Sequence, residues 1–94
     1  MTNQSPKAYQ PRKHHRRPER VEVFICVRNV CGTAITRDVS EGGIAIDLST
    51  AKDLPEIKVG SIVSTRSVGA PHSSSMIGKV VRIDGNDLAI AFIV

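Results

Sequence analysis

Asp38-Val39-Ser40-Glu41-Gly42-Gly43 lies between two runs of alternating apolar residues, and its reading decides the fold. On an extended strand residues two apart leave the same face, so Asp38 and Ser40 point one way and Val39 points toward a core. The paired glycines let the backbone turn sharply and let a ligand or another strand approach closely. Two readings stay open from these six residues alone. Asp, Ser and Gly are the commonest turn formers, yet an acceptor, a hydroxyl and bare backbone at a strand end also make a polar binding edge.

Outward from this stretch the chain reads as strands. Val21, Val23, Ile25 and Val27 alternate with Glu22, Phe24, Cys26 and Arg28, and the apolar set is β-branched. Residues 29–32 read as a connection, and Thr33 to Ser40 as a second strand. Ile44, Ile46 and Leu48 alternate with Ala45 and Asp47 to give a third. Residues 49–60 are polar and contain Pro55 and Gly60, predicting a longer connection with a short helical turn around Ala51 to Leu54. Ile62 to Ser67 is a fourth strand. Residues 69–75, with Pro71, His72 and three serines, form a mobile loop. Met76 to Ile83 and Leu88 to Ile93 follow, joined by Asp84-Gly85-Asn86-Asp87, which carries hairpin chemistry. Six short strands with tight turns and no long amphipathic helix predict an all-β fold, a small six-stranded antiparallel barrel.

The 94 residues suit a single small domain. The net charge of +4 is unevenly placed. Residues 1–20 hold six Lys or Arg against Glu19 alone, a charge of +5, while the remainder holds seven against eight, a charge of −1. A near-neutral domain therefore carries a basic N-terminal arm. With Pro6, Pro11 and Pro18 and no apolar period, that arm is expected to be flexible, at least to Lys13, and to attract polyanions. The arm is assigned to residues 1–15 and the domain, with its leading arginines, to residues 16–94.

Function classes narrow by elimination. No stretch of about 18 apolar residues spans a membrane, and no apolar leader precedes the domain, which points to the cytoplasm. Cys26 and Cys31 lack the spacing and partners of a zinc site. In a reducing compartment they are expected to be buried, inert thiols rather than a disulfide. Neither GxSxG nor a phosphate-cradling GxxxxGK[ST] occurs. His14, His15 and His72 have no catalytic or ligating company, and Asp38 with Ser40 lacks a histidine base. No catalytic residue, no metal and no resident cofactor is expected. The chain reads as a binding module.

Three motifs then combine. Arg16-Arg17-Pro18-Glu19-Arg20 fits RxxxR directly before the first strand, and Asp38 to Gly43 fits [DN]xSxxG between the second and third. Gly78-Lys79-Val80-Val81-Arg82-Ile83-Asp84-Gly85, followed by Leu88-Ala89-Ile90-Ala91-Phe92, looks like a closing hairpin of the same kind. Together they resemble the PilZ domain, the bacterial receptor module for cyclic di-GMP, from about Arg16 to the C-terminus.

The resemblance implies that the barrel binds cyclic di-GMP on its outer surface, with the arginine segment wrapping over the nucleotide. Arg16 and Arg20 match the arginine motif, and Arg17 is an added contact. Asp38 and Ser40 match base-contacting positions, and Gly43 matches the final glycine, where a side chain would obstruct the turn or the ligand. The chemistry suits the ligand. A guanidinium fork pairs with phosphate oxygens or the Hoogsteen edge of guanine, and it stacks on the purine face. A carboxylate accepts from guanine N–H groups. Arg12-Lys13-His14-His15-Arg16 repeats the RxxxR spacing, which makes Arg12 an additional candidate and leaves open one or two nucleotides per chain. Ordering the arm over the nucleotide would signal to an effector protein that the sequence does not identify. The resemblance weakens at Ala91-Phe92-Ile93-Val94, where PilZ domains often continue into a helix. The helix is absent, the sequence is a piece, or another chain covers that end.

Two other classes stay in play. A PilZ module that binds protein and no nucleotide would lack one of the motifs, and both are intact. A nucleic-acid-binding barrel would need base-stacking aromatics, of which there are three, Tyr9, Phe24 and Phe92. Nucleic acid is therefore disfavoured as a partner.

Overall fold

A computed structural model describes residues 17–93. It contains seven strands: β1 (Arg17–Pro18), β2 (Glu22–Val27), β3 (Val30–Ser40), β4 (Gly43–Lys52), β5 (Ile62–Ser67), β6 (Met76–Asp84) and β7 (Asp87–Phe92). All pairings are antiparallel. The sheet runs β1-β3-β2-β5-β6-β7-β4, and β4 returns to β3, so β2 to β7 close a six-stranded barrel as expected. Closure leaves these six strands no open edge. β1 is an extra two-residue strand added to β3.

The inward set is β-branched because such side chains pack well against a pleated surface. Val23, Ile25, Ile46, Val63, Val80 and Leu88 are each at most 5% exposed and form the centre of the core. Asp84 pairs with Asp87 across Gly85-Asn86, with Gly85 at φ +61°, so the hairpin chemistry of this turn is realised.

Other expectations are corrected. The first hairpin turns at Arg28-Asn29 rather than across residues 29–32, with Val27 paired to Val30. Residue 31 is therefore inside β3 and directly opposite Cys26, and the two sulfurs form a disulfide in place of two buried thiols. Cys31 is in fact exposed.

β4 runs through Ala51 to Lys52 instead of forming a helical turn there. The reason is a wide bulge. Ile35 pairs with Asp47 and Thr33 with Lys52, so residues 48–51 loop out against Ala34 alone. Thr50 repairs the ladder, its Oγ1 accepting from the Ile35 N–H at 2.8 Å and donating to the Asp47 carbonyl at 2.6 Å. The one helical element among the described residues is a 3₁₀ turn, His72–Ser74, inside the loop at 69–75. No helix among the described residues is long and apolar enough to cross a membrane.

Candidate functional site

β3 carries the centre of the site, and a bulge sets its orientation. Along β3, Gly32, Ala34 and Thr36 are buried in turn. Unbroken alternation would then turn Asp38 and Ser40 inward. A register shift against β4 between Thr36 and Asp38 adds one residue and reverses the parity. Val39 packs on the core instead, while Asp38 and Ser40 are half-buried on the other face. The expected facing is therefore correct, and the bulge produces it.

The arginine segment reaches this strand through backbone pairing. Arg17 stands opposite Val39, and Pro18 opposite Asp38, on the edge of β3 that β2 has vacated. Between β1 and β2 the chain bends over Thr36, which is fully buried. The Thr36 hydroxyl accepts from the Val21 N–H at 2.9 Å and donates to the Glu19 carbonyl at 2.5 Å. The Thr36 N–H donates to the Val21 carbonyl at 3.0 Å, and the Glu19 N–H to the Arg37 carbonyl at 3.2 Å. Arg20 sits between those two anchored residues.

Its side chain crosses β3 to the neighbouring strand, where Arg20 Nη2 lies 3.6 Å from Asp47 Oδ2. Asp47 begins a ladder of alternating charge. Arg37 reaches both Asp47 and Asp87 at 3.5 Å, and Arg82 reaches Asp87 at 2.9 Å. Asp47 and Asp87 are directly opposite on β4 and β7. Like charges in that position repel, and Arg37 between them turns the repulsion into attraction.

The Ser49 hydroxyl, which donates to Asp47 Oδ1 at 2.5 Å, is the main force holding the Asp47 carboxyl below its ordinary range. Burial works in the opposite direction. The Ser49 N–H, Arg37 and Arg20 add to the lowering. The bulge at residues 48–51 is what folds Ser49 back onto Asp47. A carboxylate kept ionised in this way is a fixed point for the Arg20 and Arg37 guanidinium groups.

The two remaining motif residues have structural partners. The Ser40 hydroxyl accepts from the Gly42 N–H and donates to the Gly43 carbonyl, both at 3.2 Å, so it closes the β3–β4 turn. A Cβ at Gly43 would collide with the carbonyl oxygen of Ile90. The close approach that this glycine permits is thus that of β7. The turn reading of this stretch is realised.

Arg17 is exposed, 3.9 Å from Glu19. Arg16 and Arg12, with the rest of the arm at residues 1–15, lie outside the described residues. Beside the docked segment a cavity of about 190 Å³ opens among Arg17, Glu19, Val39, Ile44 and Phe92. Pockets that enclose a drug-sized ligand run to ~300–1,000 Å³, so a cyclic dinucleotide would have to lie across the open face.

Sequence reading missed Thr36, Arg37, Asp47 and Ser49. Thr36 left no signal, because alternation from an inward Val39 would turn it outward, and only the bulge between Thr36 and Asp38 turns it into the core. The others meet through register, and none forms a motif. Among the described residues there is no cluster of His, Cys, Asp and Glu able to hold a metal ion.

Comparison with known proteins agrees with this architecture. No curated protein matches the sequence. Among solved structures, a crystal structure of the PilZ domain of CeSA from a cellulose-synthesizing bacterium superposes with a TM-score of 0.62. It is 18% identical and covers 85% of this chain and 81% of its own, a likeness of fold. The family model described as PilZ domain matches residues 10–94, from inside the arm through the last strand. A match over that span, on a closed barrel that seats its arginine segment against the Asp38 strand, makes this chain a member of the PilZ domain family.

Proposed function

We propose that this chain is a cyclic di-GMP receptor that signals through a partner protein and performs no catalysis itself. PilZ is a family of cyclic di-GMP receptor modules. The observation that carries the proposal for this chain is the pairing of Pro18 with Asp38. It brings the arginine segment and the carboxylate of the second motif to the same end of β3, where a ligand with two phosphates and two guanines finds a counterpart for each. Arg16, Arg17 and Arg20 take phosphate or the Hoogsteen edge of guanine. Asp38 accepts from the Watson–Crick edge. Ser40 and Gly43 serve the site by shaping the turn beneath it, and the spacing of Arg12 before Arg16 makes it the candidate contact for a second nucleotide.

Binding over an open face lets the ligand recruit the residues before Arg17. The cost of ordering them is set against new contacts, and the ordered arm becomes the surface that an effector protein reads. Calorimetric titration tests the receptor reading. Cyclic di-GMP should bind specifically, with linear GMP and short oligonucleotides binding far more weakly. No heat from cyclic di-GMP at near-millimolar ligand and low salt rejects it.

A further inference from the structure

We infer that Thr36 is a positioning residue for the arginine arm, its buried hydroxyl acting as the pivot on which Arg20 is aimed. The inference deepens the proposed receptor function and rests on it. Thr36 is 0% exposed, yet it is a polar residue on the inward face of a barrel whose other inward residues are overwhelmingly aliphatic. Both capacities of its hydroxyl are used, and both are used on the segment joining β1 to β2. Oγ1 accepts from the Val21 N–H and donates to the Glu19 carbonyl, at 2.9 and 2.5 Å. These two groups flank Arg20, one on each side.

The location explains the need. β1 pairs with β3 at residues 38–39, and β2 pairs with β3 from residue 35 downward. Residues 19–21 must leave one ladder and enter the other, and backbone groups in that gap lose their regular partners. A valine at position 36 would fill the same space and leave the Val21 N–H and the Glu19 carbonyl without their partner at a partly buried position. The segment would then gain by lifting into water. The Thr36 hydroxyl removes that incentive. It fixes the Arg20 backbone, while Asp47 on the far side of β3 receives its guanidinium at 3.6 Å. Arg20 is thus held at both ends while its side chain stays 57% exposed. A receptor whose binding-competent arm is populated only in part binds more weakly by that fraction. Thr36 sets the fraction.

The test compares Thr36→Val with Thr36→Ser by two readouts, amide hydrogen exchange of the ligand-free protein and titration with cyclic di-GMP. Thr36→Val should speed exchange at Glu19 and Val21 while Val80 and Ile90 in the barrel stay protected. It should also weaken cyclic di-GMP by about ten-fold or more, the factor a lost buried hydrogen bond represents. Thr36→Ser keeps the hydroxyl and should move both readouts back toward wild type. Unchanged exchange in Thr36→Val overturns the inference, and so does a serine variant that behaves like the valine one.

If Thr36→Val does not fold, the wild-type protein decides. Slow exchange at Val21 supports the pivot, and exchange at the rate of an open peptide rejects it. Absence of cyclic di-GMP binding by wild type would reject the receptor reading, while the exchange comparison still tests whether Thr36 holds the arm.

Discussion

Pro18 lies opposite Asp38, and that single pairing ties the arginine motif to the carboxylate twenty residues later. It also assigns different tasks to the residues around it. Arg20→Ala removes charge-assisted hydrogen bonds to the ligand and should cost about 1.5–3 kcal/mol of cyclic di-GMP binding. Arg20 is exposed, so the melting temperature should hardly move. Titration and a thermal melt on the same sample separate the two effects. Wild-type affinity in this variant would reject the assignment of Arg20.

Ser40→Ala should behave differently. The hydroxyl closes the turn between β3 and β4, so its loss should lower stability by about 0.5–1.5 kcal/mol in the absence of any nucleotide. Urea denaturation of the ligand-free protein measures this. An unaltered midpoint with reduced affinity would return Ser40 to the role of a direct base contact.

Gly43→Ala tests the packing explanation for the motif glycine. Any Cβ meets the Ile90 carbonyl, and forcing β4 and β7 apart should destabilise the barrel by about 1–3 kcal/mol, the usual range for overpacking. The loss should appear in the ligand-free melt. A variant that melts like wild type but fails to bind would show that the ligand, rather than β7, needs the space.

The depressed pKa of Asp47 fixes the sign of a pH effect. Its carboxyl is stabilised in the ionised form by Ser49 first, then by Arg37 and Arg20. A group whose pKa falls on folding adds stability above its unfolded pKa, near 4. That stability is lost as the pH drops below about 4 toward the folded value. Wild type should therefore lose stability below about pH 4 more steeply than Asp47→Asn, while at neutral pH the variant should be the less stable of the two. Urea midpoints across that range check both statements, and parallel curves would dissociate Asp47 from the acid limb.

The Cys26–Cys31 bond gives a redox prediction. The two residues are five apart in sequence, and closing so short a loop restricts the unfolded chain only modestly, by about 2 kcal/mol on the entropic estimate. Reduction should lower the melting temperature and leave the barrel folded, because the ladder between β2 and β3 persists on either side. A melt with and without reductant measures the shift. Unfolding on reduction would mean that the bond, and not the core, holds the hairpin.

Most strand positions, the closing hairpin and the barrel class are legible in the sequence. They rest on local properties: alternation from Val21 to Val27, turn chemistry at Gly85-Asn86, and motif spacing. The differences arise where strand register, rather than a turn residue or an apolar period, decides the structure. Cys31 reads as part of a connection because the turn at Arg28-Asn29 contains no glycine, and Arg28 adopts φ 58° there without the residue type that announces it. The helical turn expected at Ala51 to Leu54 gives way to a bulge in β4, whose Thr50 accepts from Ile35 on the opposite strand.

By itself the sequence determined that this protein is a small β-barrel with a basic arm and two motifs in PilZ order. Periodicity and turn residues act within a few positions, and one chain displays them fully. Only the tertiary structure decided how Asp38 comes to face outward, why position 43 must be glycine, and that Thr36 and Asp47 hold Arg20. Each of these depends on register, and a shift of one residue exchanges the two faces of a strand. The bulge before Asp38 is such a shift, and it turns the site outward.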